Sequence, residues 1–292
     1  MRKGRQGRWI AAVVMVLVAL VSYYGKRRKN PVTGETQSIS LSEKQEIALG
    51  LQAAPQMARK FGGSDRDEAA QALVDEVGGR LVRSGPGKDS PYRFEFTLLA
   101  DDRTVNAFAL PGGPVFITRA LYSRLSTEAE LAGVLGHEVG HVLGRHAAER
   151  LAKSELGRQV VGAVGVATSD EHGRGGALAQ LATQAVVQMT QMSYGREDEL
   201  QSDALGVRFM AEAGYDPRAL VQVMKVLADA SGGKKRSEFT STHPDPGNRA
   251  QKIEAEIAKR FPGGVPSSLT TGRPLSGSAA PAAPARARPR AR

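Results

Sequence analysis

Two histidines and a glutamate with the spacing of a metal-binding motif lie near the middle of the chain. His137, Glu138 and His141 form the pattern His-Glu-x-x-His within a run of apolar residues. On an α-helix, residues four positions apart lie one above the other, so both imidazoles can point at a single metal ion. Glu138 then lies beside the ion, where a carboxylate can take a proton from the water that attacks a peptide bond. The pattern therefore predicts a zinc site with hydrolytic chemistry.

The sequence around this motif predicts the helix that the motif needs. Thr127 and Glu130 have the spacing of a capping box, and apolar residues follow at roughly helical intervals. Four glycines oppose a helix, because each costs about 1 kcal/mol relative to alanine in a helix interior. We interpret them as positions where neighbouring elements approach the helix closely; they are Gly133, Gly136, Gly140 and Gly144.

A catalytic zinc site needs a third protein ligand, and an acidic cluster near residue 200 offers candidates. Glu199 and Asp203 are four residues apart at the start of a second predicted helix, so they share one face. One carboxylate can bind the metal while the other accepts a hydrogen bond from a ligand histidine. The spacing favours Glu199 as the ligand and leaves Asp203 as an alternative.

Four motifs together resemble the HtpX, BepA and Oma-type zinc metallopeptidases, the family that also includes the CAAX prenyl endopeptidases. In chain order they are residues 106–113 (Asn-Ala-Phe-Ala-Leu-Pro-Gly-Gly), residues 137–141, the pair Glu199 and Asp203, and His243-Pro244 followed by Arg249. The resemblance implies that Glu199 is the third ligand of one Zn²⁺ per chain and that Asp203 hydrogen-bonds a ligand histidine. It also implies an α+β fold, a predominantly helical gluzincin-like metallopeptidase domain with a small β-sheet, here without a following tetratricopeptide array.

Residues 104–118 consist of two short β-prone runs joined by a Pro/Gly turn, a pattern that predicts a hairpin. An edge strand beside the metal can hold an extended peptide by main-chain hydrogen bonds. By the resemblance, Asn106, Ala107 and Phe108 belong to such a substrate-binding edge. The sequence alone leaves open a hairpin that only completes the sheet.

Three further polar residues have different expected roles. His243 precedes Pro244 in a predicted loop, where a histidine by itself would be ordinary surface. The resemblance implies that His243 lies near the metal, either as a catalytic group that stabilises the oxyanion or as an inhibitory fourth ligand. Arg249 would be its charged neighbour and a contact for the oxyanion or the substrate. His146 lies about 140° round a continuous helix from His141, so we expect a structural or capping role for it.

Apolar periodicity predicts the remaining elements. Two helices fill residues 42–84, the first with Ser42 and Gln45 as a possible capping box, and a β-prone run covers residues 92–99. Pro217 opens a helix to about residue 230, and a last helix covers about residues 248–261. Residues 160–190 are apolar but interrupted, which favours a helical lid or packing pair near the active site over a membrane span.

Composition divides the chain into four parts. Residues 1–29 are an apolar segment with basic flanks, interpreted as an uncleaved signal anchor, and residues 30–41 are a linker. Residues 42–262 form the predicted peptidase domain, and residues 263–292 a Pro/Ala/Arg-rich tail that we expect to be disordered. The two terminal segments hold thirteen Lys and Arg residues and no acid, so a net charge of +10 leaves −3 for the rest. A basic nucleic-acid-binding domain is therefore not expected.

The predicted function is that of a zinc-dependent endopeptidase acting on protein or peptide substrates, by the resemblance misfolded proteins of the cell envelope. Four Lys or Arg residues flank each end of the apolar segment, so charge does not choose its membrane orientation. The resemblance favours a peptidase domain outside the cytoplasmic membrane, in the periplasm. Two alternatives remain open: a latent peptidase that acts mainly as an envelope chaperone or adaptor, and a purely structural zinc site.

Overall fold

A computed structural model describes residues 2–168, 194–231, 238–243 and 248–275, and in these ranges the protein is an α+β structure in which helices predominate. The helices are α1 (Arg2–Gly25), α2 (Glu43–Lys60), α3 (Glu68–Ser84), α4 (Arg119–Tyr122), α5 (Glu128–Leu143), α6 (His146–Thr168), α7 (Arg196–Glu212), α8 (Ala219–Ser231), α9 (Glu238–Thr242) and α10 (Arg249–Arg260). The strands are β1 (Arg27–Lys29), β2 (Thr36–Ser38), β3 (Glu95–Leu99), β4 (Ala107–Ala109) and β5 (Pro114–Thr118). The predicted fold class is confirmed. Residues 169–190 of the predicted lid lie outside the described residues.

Helix α5 carries the His-Glu-x-x-His motif and is buried along its whole length. It begins after Thr127, whose hydroxyl accepts a hydrogen bond from the backbone N–H of Glu130. This is half of the predicted capping box, because the Glu130 carboxylate accepts its hydrogen bond from the backbone N–H of Ser126 and not of Thr127. A Cβ atom added to Gly140 would lie 3.1 Å from the carbonyl oxygen of Ser202 in α7. One added to Gly136 would lie 3.5 Å from the Cα atom of Gly206, also in α7. The missing side chain of Gly140 therefore lets α5 and α7 approach closely, which confirms the interpretation for this glycine.

The sheet beside α5 has three strands in the order β3, β5, β4. The central strand β5 is parallel to β3 and antiparallel to β4, with Phe116 opposite Phe108. The predicted hairpin at residues 104–118 is confirmed. Its turn uses Gly112 and Gly113, whose φ angles of 83° and 128° strongly favour glycine. Because β4 ends the strand order, it is an edge strand.

Helix α1 runs beside α6, and Ala12 and Ala163 are buried between the two helices. Much of the remaining surface of α1 is apolar and exposed, and Val21 has 73% of its surface exposed. Residues Gly7–Gly25 have a mean hydropathy of 1.7 and are long and apolar enough to cross a membrane. Signal sequences pass the same test, so this helix is weak support for a membrane anchor.

The hairpin of β1 and β2 packs against the carboxyl end of α5. Residues 30–41 were expected to be a linker, yet residues 27–29 pair with residues 36–38 in an antiparallel ladder. The side chains of Asn30 and Gln37 donate hydrogen bonds to the carbonyl oxygens of Leu143 and Gly144, at 2.9 Å and 2.7 Å. Carbonyl groups at the end of a helix have no partner within it, so these two amides complete the end of α5.

Residues 263–275 pack against the beginning of α5, although we expected them in the disordered tail. The carbonyl oxygens of Thr271 and Arg273 accept hydrogen bonds from the backbone N–H groups of Ala129 and Glu128. Leu275 is buried, with 3% of its surface exposed. The first N–H groups of a helix also lack partners within it, so this segment fixes the start of the helix that carries the motif.

Candidate active site

Four side chains from three parts of the chain converge in the interior. His137, His141, Glu199 and His243 each offer one ligand atom, and these atoms lie within 4.8 Å of one another. The Nε2 atoms of His137 and His141 are 3.0 Å apart, and the Glu199 carboxylate lies 3.5 Å and 3.4 Å from them. All four residues are buried. Imidazoles and a carboxylate are the donors that a catalytic zinc ion uses in proteins.

The two carboxylates that the sequence left as alternatives lie on opposite sides of His137. Glu199 faces the Nε2 atoms, whereas the Asp203 carboxylate lies 2.9 Å from Nδ1 of the same ring. Burial by itself lowers the pKa of His137, but hydrogen bonds to Asp203 and Glu199 outweigh it and raise this pKa to about 9. The geometry favours Glu199 as a metal ligand and Asp203 as the acceptor that orients His137.

Arg249 holds both of these carboxylates. Its Nε and Nη2 atoms donate hydrogen bonds to the Asp203 carboxylate at 2.8 Å and 2.7 Å, and its Nη1 atom lies 3.0 Å from Glu199. Burial alone would raise the pKa of Asp203, but the charge and hydrogen bonds of Arg249 hold it below its ordinary value. We expected Arg249 to contact an oxyanion or the substrate, and the structure instead uses its guanidinium to fix two acidic side chains.

Glu138 is fully buried beside the cluster, and neither of its carboxylate oxygens has a hydrogen-bond partner among the described residues. Its Oε1 atom lies 3.7 Å from Nε2 of His243. Burial raises the pKa of Glu138 above its ordinary value. A buried carboxylate without partners is costly, so its presence indicates a site that a further group completes. The donor set and the unpartnered carboxylate together fit a metal ion with a neighbouring base.

His243 lies inside the site, although its sequence context suggested an exposed loop. Only 1% of its surface is exposed, and its Nδ1 atom lies 3.0 Å from Glu199 and 3.4 Å from Nε2 of His137. Its ring stacks on Phe239 of α9, with 4.4 Å between the ring centroids. The backbone N–H of Phe239 donates a hydrogen bond to the carbonyl of Val105, just before β4. The short helix that ends just before His243 is therefore docked on one end of the edge strand.

His146 also reaches the site, because the helix that carries the motif ends before this residue. Gly144 closes α5, and Arg145 has a φ angle of 56°, in the left-handed region. This break turns the next residue back, so that Nδ1 of His146 lies 2.9 Å from Nδ1 of His141. The argument from a continuous helix therefore placed His146 wrongly. Gly144 is a helix-stop signal that could have predicted the break.

The open edge of β4 lies next to the cluster. Backbone hydrogen bonds join Thr118 to Asn106 and Leu110 to Pro114, so the main-chain groups of Ala107 and Ala109 face away from β5. Asn106 is buried, and its Oδ1 atom has no partner among the described residues. The three residues predicted for substrate binding, Asn106, Ala107 and Phe108, therefore lie along this edge.

An apolar pocket opens between β4 and α2 and reaches the cluster. Met57, Phe61 and Phe108 line it together with Tyr194 and His243. The Tyr194 ring stacks on the His141 ring with 3.8 Å between centroids. The sequence analysis did not single out Tyr194, because no spacing relates it to the motif 53 positions earlier.

A His-Glu-x-x-His helix and a glutamate from a second helix, beside an edge strand, define a metallopeptidase of the gluzincin type. The family model for Peptidase family M48 matches residues 68–257, more than half of the chain, and the chain belongs to this family. The family and fold proposed from the sequence are thus confirmed. Membership in a metallopeptidase family implies a metal cofactor, and the four-residue cluster is a group that can hold it.

Individual relatives agree with this assignment. The chain is 30% identical over 223 residues to the beta-barrel assembly-enhancing protease of Yersinia pestis, covering 75% of this chain and 45% of that protein. It is 30% identical over 236 residues to the putative beta-barrel assembly-enhancing protease of Vibrio cholerae, covering 80% and 48%. It is 33% identical over 166 residues to the mitochondrial metalloendopeptidase OMA1 of Schizosaccharomyces pombe, covering 56% and 47%. The chain spans about half the length of these curated relatives.

Proposed function

We propose that this protein is a zinc-dependent endopeptidase that hydrolyses internal peptide bonds of protein substrates, with one Zn²⁺ per chain. The observation that carries the proposal is the convergence of Glu199 from α7 on the Nε2 atoms of His137 and His141. Glu138 lies beside them with no hydrogen-bond partner among the described residues. Three protein donors are the number that a catalytic zinc ion uses, and a structural site has no use for Glu138.

Each residue has a separate role in this proposal. His137, His141 and Glu199 hold the zinc, which when bound polarises a carbonyl group and acidifies water. Glu138 accepts the proton of the attacking water and then passes it to the leaving amine. Burial raises the pKa of Glu138, which is the direction expected of a carboxyl group that acts first as a base and then as an acid.

The edge strand supplies the orientation of the substrate. An extended peptide can pair with the main-chain groups of Ala107 and Ala109, which face away from β5. The amide of Asn106 is available to the peptide, since its Oδ1 atom has no partner among the described residues. Such pairing fixes the scissile bond near Glu138 and reduces the entropy lost on reaching the transition state.

Two substitutions test the roles of the carboxylates. Glu138→Gln keeps all the donors but removes the base, so we expect retained zinc and proteolysis lowered by roughly 10²- to 10⁴-fold. Glu199→Ala removes a donor, so we expect loss of stoichiometric zinc. Glu197→Gln is the control, because it removes an exposed charge from the same helix as Glu199. Metal analysis and casein digestion measure both effects, and full proteolysis by Glu138→Gln would contradict the proposal.

A second candidate function, a latent peptidase that acts mainly as an envelope chaperone or adaptor, is favoured by the position of His243. Its Nδ1 atom lies among the donors, 3.0 Å from Glu199. A zinc ion with four protein donors has no open position for catalysis, so this ring can act as a latch. We expect His243→Ala to raise casein digestion if the ring is a latch, and to lower it if the ring stabilises the oxyanion.

We also propose that α1 anchors a peptidase domain of residues 42–275 in the cytoplasmic membrane, with the domain on the outer side and misfolded envelope proteins as substrates. The length and apolar composition of α1 support an anchor, and the names of the bacterial relatives support a role in the envelope. The chain has no cysteine, so Lys259→Cys at an exposed position can report its location. An impermeant maleimide should label this variant in intact spheroplasts, and labelling only after lysis would contradict the orientation.

A further inference from the structure

The two ligand histidines of the proposed site are supported by different partners. Asp203, an anion held by Arg249, lies at Nδ1 of His137. At the corresponding atom of His141 stands another imidazole, with the Nδ1 atoms of His141 and His146 only 2.9 Å apart. His146 is buried, with 2% of its surface exposed, and its Nε2 atom lies 2.8 Å from Oε1 of Gln201 in α7.

These contacts form a chain of three groups whose proton positions are linked. The amide oxygen of Gln201 can only accept a hydrogen bond, so Nε2 of His146 carries the proton and Nδ1 of the same neutral ring is bare. His141 then donates its Nδ1–H to His146. Its Nε2 lone pair is left for the cluster, where the Nε2 atom of His137 lies 3.0 Å away.

The opposite proton arrangement is incompatible with a metal ligand. If the amide of Gln201 were turned round, its nitrogen would donate to Nε2 of His146, and His146 would donate from Nδ1 to His141. His141 would then carry its proton on Nε2, the atom that faces the cluster, and could not bind a metal ion. Only one direction of the chain therefore leaves His141 able to act as a ligand.

The local backbone is shaped around the ring of His146. A Cβ atom on Gly144 would lie 2.5 Å from Nε2 and 2.7 Å from Cε1 of His146, so any side chain there would displace the ring. Arg145 takes a left-handed φ of 56° and is held by a hydrogen bond from its guanidinium to the carbonyl of Leu41, at 3.0 Å, and by an ion pair with Glu46. The helix break thus places the His146 side chain beside His141.

We propose that His146 and Gln201 are positioning residues, which fix the tautomer and orientation of His141 through a neutral hydrogen-bond chain and so set the zinc affinity of the site. The inference rests on the proposed zinc site. It assigns to His146 a definite supporting role, since this histidine acts through a ligand and does not bind the metal itself.

Zinc affinity tests this chain without using catalytic turnover. All proteins carry Glu138→Gln, which keeps the donors and prevents self-digestion, and chelator competition gives the zinc dissociation constant. We expect His146→Leu to weaken zinc binding about 10- to 100-fold, because support of a ligand histidine has this effect in metal sites. Gln201→Leu should also weaken zinc binding.

Gly144→Ala is a second variant that leaves every polar group in place. Its methyl group displaces the His146 ring, so it should also weaken zinc binding, even though alanine favours a helix. Gly157→Ala is the matched control, because a Cβ atom there meets nothing within 4 Å. Circular dichroism of each variant separates a loss of zinc affinity from a loss of folding.

Nitrogen NMR of the zinc-loaded protein gives the tautomers directly. We expect His146 to be protonated on Nε2 alone and His141 on Nδ1 alone. A His146 ring protonated on Nδ1, or a folded His146→Leu protein with the zinc affinity of its parent, would overturn this inference and leave the zinc site standing. If the parent protein itself binds no zinc, the proposed function falls together with the inference.

Discussion

Arg249 offers the sharpest test of how the acidic residues of the site are held. Three carboxylates, those of Glu138, Glu199 and Asp203, lie within the buried site with at most 2% of their surface exposed. The guanidinium of Arg249 is itself 3% exposed and contacts Glu199 and Asp203 at 2.7–3.0 Å. In Arg249→Leu both carboxylates lose this partner.

The size of the effect follows from burial. Removing one partner of a buried ion pair costs about 3–5 kcal/mol, because the other charge stays buried and uncompensated. A domain is stable by about 5–15 kcal/mol, so metal-free Arg249→Leu should lose roughly a fifth or more of its free energy of unfolding. Zinc would restore part of this loss, since a ligand at 100 times its dissociation constant stabilises the folded state by about 2.7 kcal/mol. Arg249→Lys keeps the charge but loses the paired hydrogen bonds. Its free energy of unfolding should therefore lie between those of wild type and Arg249→Leu.

Urea unfolding followed by circular dichroism, with chelator and with zinc, measures these free energies. Arg218→Leu is the control, because it removes an arginine that also pairs with an aspartate, Asp216, but whose side chain is 65% exposed. The free energy of unfolding of Arg218→Leu should be close to that of wild type. Metal-free Arg249→Leu with wild-type stability would refute the reasoning. If Arg249→Leu kept wild-type stability but lost peptidase activity, Arg249 would contact the substrate or the oxyanion, as the sequence suggested.

Three further predictions concern the packing of the fold. Gly140→Ala places a Cβ atom 3.1 Å from the Ser202 carbonyl oxygen, so we expect α5 and α7 to separate slightly. Thermal unfolding should then show a free energy of unfolding lower by about 1–3 kcal/mol. Deletion of residues 263–292 removes the partners of the Glu128 and Ala129 N–H groups and should lower the free energy of unfolding by at least about 2 kcal/mol. Deletion of residues 276–292 keeps these contacts and should lower it less by the same method. Hydrogen bonds from Arg119 lower the pKa of Asp65 below 3.8, so the folded state loses this contribution as the pH falls below about 4. Urea unfolding between pH 2 and pH 7 should therefore show a weaker loss of stability on acidification for Asp65→Asn than for wild type.

The sequence by itself determined the features that depend on neighbours along the chain. The spacing of His137 and His141 on one helical face, the N-cap at Thr127 and the hairpin at residues 104–118 are all present as predicted. Each depends on a helical or strand period and on local hydrogen bonds, which a short stretch of residues encodes. The resemblance to known metallopeptidases added the pairing of Glu199 with the distant motif, which spacing had only favoured.

Only the tertiary structure decided how the supporting groups meet. Arg249 reaches Asp203 across 46 positions of sequence, His243 is buried against Glu199 across 44, and His146 meets Gln201 across 55. The segment at residues 263–275 likewise closes the start of α5 from more than 130 positions away. These contacts depend on how closely helices pack and on where one of them breaks. No local period carries that information, because the free energy of burying a charge is set by partners that the chain brings together only on folding.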